Sequence, residues 1–315
     1  MSKYRARLPQ LEGKFFLTDG GLETTLIFHD GIDLPCFAAF DLMRTQAGKE
    51  TLRTYYERYA VIAKNNGMGF ILEAPTWRAS ADWGAKLGYS REALAAINGE
   101  CIELMLELRG SFESANCPMV VSGCIGPRGD GYDPGKLMTP EEAGAYHAEQ
   151  IAWLGEAGVD MISAFTVTNA PEATGIVRAA QAANLPVVIS FTLETDGCLP
   201  TGQSLPDAIA AVDAATRNGP AYYMINCAHP AHFADMLAQG GAWLQRLRGL
   251  RANASKRSHA ELDAAPDLDD GDPAELGGAY GELLRRHGQI SVVGGCCGTD
   301  HRHVEEISQA YKRAA

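Results

Sequence analysis

Eight cysteines stand in this chain of 315 residues: Cys36, Cys101, Cys117, Cys124, Cys198, Cys227, Cys296 and Cys297. Two of them are adjacent and flanked by glycines, in Gly294-Gly295-Cys296-Cys297-Gly298, and a third follows an asparagine in Asn226-Cys227. A lone free cysteine is usually packed as a small hydrophobe, so Cys227 by itself says little. An adjacent pair between glycines is seldom a packing requirement. A redox pair is the competing reading, but the usual Cys-x-x-Cys spacing is missing. Three converging thiolates would suit zinc, which takes sulfur ligands at about 2.3 Å in tetrahedral geometry. Three protein ligands leave a fourth position open, and an incoming thiol held there would be deprotonated and nucleophilic. Cys36, Cys101, Cys117 and Cys198 read as structural, and Cys124, at a strand end, is ambiguous.

The elements that must bring these cysteines together form a rhythm. Short apolar runs at 15–20, 69–74, 119–124, 159–165, 186–192, 222–227, 247–253 and 290–295 alternate with helical patterns. Most runs are rich in Val, Ile and Leu without clean alternation, as parallel strands buried on both faces are. The run at 247–253 is the weakest. Leu94, Ile97, Cys101, Leu104 and Leu108 recur at helical spacing. Thr139-Pro140-Glu141-Glu142 reads as a capping box with proline at the first helical position. Ser204 and Asn169 offer similar helix starts. Eight β units followed by helices imply an α/β fold, a single-domain (β/α)8 TIM barrel spanning 1–315. A doubly wound open sheet is the alternative. The polar segment 254–274 breaks the rhythm and reads as a long loop insertion, partly disordered.

In such a barrel the active site lies at the C-terminal ends of the strands. Those ends carry Asp19-Gly20, Glu73, Gly123-Cys124, Phe165-Thr166, Asn226-Cys227 and the Cys296-Cys297 pair. Cys227 closes the sixth strand and the pair closes the eighth, so the three face one another across one corner of the rim. With 27 Lys+Arg against 39 Asp+Glu, the net charge of −12 argues against nucleic acid, which needs clustered cations. No run of about 18 apolar residues occurs, so no membrane span is expected. The start lacks an apolar signal region, and a cytoplasmic location is expected. The expected partner is a small-molecule thiol. The sequence leaves open whether the chain forms a homo-oligomer.

These residues resemble the homocysteine S-methyltransferases, which include betaine-, S-methylmethionine- and cobalamin-dependent enzymes. The resemblance rests on Asp19-Gly20-Gly21-Leu22-Glu23-Thr24, Gly123-Cys124-Ile125-Gly126-Pro127, Asn226-Cys227 and Gly294-Gly295-Cys296-Cys297-Gly298-Thr299, and runs from about 14 to 312. It implies a (β/α)8 barrel with zinc on Cys227, Cys296 and Cys297, and Asp19 and Gly20 near the bound thiol. Two positions depart from the family pattern. A Phe-Glu-Thr-like triplet often ends the fourth strand, and its Glu is expected to hold the amino group of homocysteine; here Phe165 falls at that position, followed by Thr166. The second strand commonly ends in a Thr-Asn-Thr-like run and here reads Glu73-Ala74-Pro75-Thr76. Glu73 is thus a candidate replacement carboxylate, with a rim salt bridge as the competing reading.

The expected activity is a zinc-dependent S-methyl transfer from a small sulfonium or methylammonium donor to homocysteine or a related thiol, giving methionine or another thioether. Candidate substrate residues are Asp19, Gly20, Glu73, Phe165, Thr166 and Asn226. Trp77, Trp83, Tyr132 and Phe165 are candidates to face a cationic donor. The competing readings are a non-homocysteine acceptor, a zinc or thiol carrier without turnover, and a metal hydrolase. The last ranks low because the histidines fall mostly in helices and loops.

Overall fold

The eight apolar runs become eight parallel strands, β1 (Phe16–Leu17), β2 (Gly69–Glu73), β3 (Met119–Ile125), β4 (Met161–Val167), β5 (Val187–Thr192), β6 (Tyr222–Asn226), β7 (Leu247–Ala252) and β8 (Val292–Gly295). The fold is that of a computed structural model describing residues 2–314. The strands pair in sequence order and β1 closes on β8, giving a closed (β/α)8 barrel. The open-sheet alternative is thereby excluded. The weak seventh run pairs on both sides, with β6 and with β8.

The principal outer helices span Gln46–Asn66, Arg91–Phe112, Pro140–Ala157, Ala170–Ala182, Leu205–Thr216, Pro230–Ala238, Pro273–Arg286 and His301–Ala314. Their starts follow the local chemistry of the sequence. The Thr139 side chain accepts from the Glu142 N–H, and the Glu142 carboxylate accepts from the Thr139 N–H, a reciprocal cap for two otherwise unpaired donors. Asn169 and Ser204 cap the next two helices through Glu172 and Asp207.

Two apolar layers hold the barrel. Phe16, Ile71, Val120, Met161, Val188, Tyr222, Met224 and Val292 fill its interior, and a larger layer lies between strands and helices. The N-terminal segment covers the lower end. The backbone N–H groups of Lys3 and Tyr4 donate to Asp160, whose other oxygen is held by Arg109 at 2.8 Å. This end is a packed plug, so the cavity opens at the other.

Three expected boundaries shift. β1 stops at Leu17 because the chain bends away beyond it, with the Gly21 N–H donating to the Thr299 carbonyl. β4 runs on to Val167 through a register irregularity after Ala164, and there Thr166 takes a left-handed φ of 61°. The polar segment 254–274 contains a short helix, His259–Asp263, with its own Ser258–Glu261 capping box, and the next helix begins at Pro273.

Candidate functional site

A cavity of about 430 Å³ sits at the C-terminal ends of the strands. All the residues singled out above as metal or substrate candidates line it: Asp19, Gly20, Glu73, Phe165, Thr166, Asn226, Cys227, Cys296 and Cys297. Trp77 and Tyr132 also line it, whereas Trp83 does not. His259, Leu262, Asp263, Asp267, Leu268 and Asp269 of the polar segment form its outer wall.

The cysteines converge. The sulfurs of Cys227, Cys296 and Cys297 all lie within 4.8 Å of one another. Cys227 reaches this place by a left-handed turn at the end of β6, with φ of 54°, a conformation that costs a non-glycine residue about 1–3 kcal/mol and must be held by its surroundings. Asn253 holds it by donating to the Cys227 carbonyl at 3.1 Å, and the Cys227 N–H donates to the Arg251 carbonyl. On the other side the Cys296 N–H donates to Ala252 and the Cys297 carbonyl accepts from Ala254. The flanking glycines serve close packing. A Cβ on Gly294 would meet Thr18 Oγ1 at 1.9 Å, and one on Gly295 would meet Thr299 Oγ1 at the same distance.

The donor set fits a thiophilic ion. Tetrahedral sulfurs about 2.3 Å from zinc stand roughly 3.8 Å apart, within reach of the separation found. The cluster also competes for negative charge. Contacts from Cys227 and Cys297 hold the Cys296 thiol well below its ordinary range, and the same contacts push Cys227 and Cys297 up. A bound dication would relieve that competition.

Asn226 fixes the sulfur beside it. Its carbonyl oxygen accepts from the Thr166 N–H at 3.0 Å and from Ser190 Oγ at 2.6 Å. Its amide nitrogen is thereby oriented to donate to Thr166 Oγ1 at 3.0 Å and Cys227 Sγ at 3.1 Å. The β4 irregularity that turns Thr166 inward is what makes this network possible. Tyr132, whose hydroxyl is 3.4 Å from Cys297 Sγ, stacks on the His259 ring with centroids 3.8 Å apart. The outer wall is thus joined to the cysteines through one aromatic pair.

Arg251 is the residue that sequence reasoning missed. It is buried at the end of β7, pairs with Asp19 at 2.8 Å, and donates to the Gly20 and Gly295 carbonyls. Tyr55 donates to the other Asp19 oxygen at 3.0 Å. The guanidinium lies 4.9 Å from the centre of the Phe165 ring, so that ring is already faced by a cation. Arg78 likewise lies over Trp77 and Trp83, at 4.0 and 3.8 Å. An arginine two residues past Gly249 on a barrel strand, the second of two on β7, was the available signal, since alternate positions share a face. Two carboxyl groups of the cavity, Glu23 and Glu73, are raised to about 7, chiefly by burial.

Comparisons with known proteins agree with this geometry. The family model described as homocysteine S-methyltransferase matches residues 16–311. A maize (Zea mays) protein named homocysteine S-methyltransferase 2 is 23% identical over 325 aligned positions, covering 96% of this chain and 91% of that protein. The oxidized form of the homocysteine methyltransferase MmuM from Escherichia coli superposes with a TM-score of 0.73 at 19% identity, covering 98% of this chain and 99% of that one. Its metallated form gives 0.71 at 18% identity, with 97% and 99% covered.

Proposed function

The chain belongs to the homocysteine S-methyltransferase family, and from that premise we propose that it is a zinc-dependent methyltransferase acting on homocysteine or a closely related thiol. The methyl donor in this reading is a small sulfonium or methylammonium compound. The whole chain acts as one barrel unit, with 254–274 as an insertion that walls the cavity. The expected product is methionine or the corresponding thioether, made in the cytoplasm; among the described residues no helix is long and apolar enough to cross a membrane.

The observation that carries this reading is the cluster of three sulfurs within 4.8 Å at the floor of a cavity. Cys227, Cys296 and Cys297 would hold the zinc. When bound, it supplies a Lewis acid that keeps an acceptor thiol deprotonated at neutral pH. The chain's own residues do the rest. Asn226 and Thr166 orient Cys227. Arg251 places a positive charge beside the cluster, opposing the excess negative charge of three thiolates. The wall from 254–274, held through Tyr132 and His259, limits water around the reacting groups. The acceptor sulfur then attacks the donor methyl in line. A sulfur–carbon bond forms, the donor's bond to that carbon breaks, and the electron pair leaves with a neutral thioether or amine. Orientation of the two substrates supplies much of the rate.

The test is elemental analysis of freshly purified, reduced wild type and Cys297→Ser, followed by methylation assays with thiols and cationic donors. Stoichiometric zinc in wild type, reduced or lost in Cys297→Ser, is expected. Zinc-free wild type would sink the reading.

A further inference from the structure

A second cavity, of about 350 Å³, lies behind the wall that 254–274 gives the first. It is bounded by His229, by residues 254–257 that follow β7, and by residues between 269 and 276, where the next principal helix begins. Ser255 and Asp269, hydrogen-bonded at 2.7 Å, border both spaces and form a partition between them. A space of this size is at the small end of ligand pockets, which run from about 300 Å³ upward.

His229 is the informative residue. It is only 4% exposed. Its Nδ1 accepts the Ala231 N–H at 3.1 Å, capping the helix Pro230–Ala238. A ring nitrogen that accepts carries no proton, so the proton of the neutral imidazole sits on Nε2. Nε2 makes no hydrogen bond among the described residues, and the ring borders the cavity. It is a buried donor that lacks an acceptor, which is costly unless something completes it. A metal ion does not fit there, because ligation through Nε2 would put the proton on Nδ1, against the Ala231 N–H.

The charges around it narrow the choice further. Four carboxylates and two cations line the same cavity. Lys256 pairs with Glu275, and Arg257 with Asp269. Glu261 and Asp272 pair with no cation among the described residues; they cap helices, Asp272 through one oxygen only. The surplus is negative, so a pure anion would be repelled. A pure cation would leave the Nε2–H unmet.

We propose that this cavity binds a small zwitterion of the amino-acid type, its carboxylate accepting from His229 Nε2–H and its ammonium facing Asp272 and Glu261. Any occupant touches both ends of the 254–274 segment, so the site is placed to steady the wall of the main cavity. The proposal calls on neither zinc nor methyl transfer and stands apart from the reading above.

Calorimetry tests it by titrating wild type with the L-amino acids other than methionine and cysteine, whose sulfur could draw them into the main cavity. At least one is expected to bind saturably at millimolar concentration or below, and its amide and its deaminated acid to bind more weakly. His229→Asn keeps a good helix cap but is too short to replace the ring donor, and should weaken binding about 10-fold or more. Asp272→Asn also keeps its cap. It should cost about 2- to 5-fold, because that carboxylate is exposed, and should not weaken binding of the deaminated acid. Cys297→Ser, altered only in the main cavity, should bind as wild type does. No binding by wild type, binding untouched by both cap-preserving variants, or binding lost in Cys297→Ser and kept in His229→Asn would each overturn the proposal. If His229→Asn fails to fold, Asp272→Asn decides on the same criterion.

Discussion

Replacing Glu73 with Gln should make the ligand-free protein's stability respond differently to pH. The Glu73 carboxyl is raised from 4.5 to about 7, mainly by burial, with Arg251 and the Ser122 and Ser163 hydroxyls pulling the other way. A raised value means the folded protein holds this proton after the unfolded chain has released it. Stability therefore falls as pH climbs from about 4.5 to about 7 and then levels off. Below 4.5 both states are protonated and the penalty is absent. At about 1.4 kcal/mol per pH unit the full penalty approaches roughly 3 kcal/mol, of which about 2–3 kcal/mol develops between pH 5 and pH 8. Glutamine cannot ionise and escapes it. Urea unfolding of both proteins at pH 5 and pH 8 measures the difference directly. Glu73→Gln should gain on wild type by about 2–3 kcal/mol between the two pH values. A stability difference that is the same at both would refute the reasoning, because it would mean the buried carboxyl does not resist ionisation.

Arg251→Leu should destabilise the fold by about 3–5 kcal/mol, since it leaves Asp19 buried without its partner, and thermal unfolding should register a drop of roughly 5 °C or more; adding Asp19→Asn to the same chain should recover part of the loss, and strict additivity would count against the pair. Gly294→Ala would push a methyl to 1.9 Å from Thr18 Oγ1 and 2.8 Å from the Asp19 carbonyl. Overpacking of this kind costs about 1–3 kcal/mol and should move Cys296, so chelator competition should strip zinc from the variant more readily than from wild type; equal resistance would argue that the glycine is not needed for the cluster.

The barrel was legible because its signals are local. Buried parallel strands announce themselves as apolar runs, and Thr139, Asn169 and Ser204 mark helix starts by their own side-chain chemistry. The cysteine cluster was legible because the two strand ends that carry it, those of β6 and β8, share one rim in a closed barrel. What escaped depends on three-dimensional closure. Nothing in the sequence around Arg251 says that its partner is Asp19, which lies at the opposite end of the chain and becomes a neighbour only when β8 closes on β1. The short helix at His259–Asp263 escaped for a different reason. Five residues with Leu262 as the one large apolar side chain carry no apolar stripe, so periodicity is silent, although the Ser258–Glu261 capping box was present to be read. The register irregularity that turns Thr166 inward left no residue signature, since threonine is an unusual choice for a left-handed position.

The exchange at Phe165 makes physical sense only together with Arg251. A carboxylate at position 165 would stand beside a guanidinium already near the ring centre at 4.9 Å, and the two would pair. Neither would then be available to a ligand. An aromatic ring instead covers the guanidinium without consuming its charge, leaving it to act on Asp19 and the cysteine corner. A carboxyl of the cavity stays unpaired only where it makes no ion pair with Arg251. Glu73 meets that condition: it lies in the same cavity, it is held by neutral hydroxyls, and no ion pair within 4.0 Å claims it among the described residues. Separating the two charges in this way leaves the guanidinium paired with Asp19 beside the cysteine corner and the Glu73 carboxyl on neutral hydroxyls.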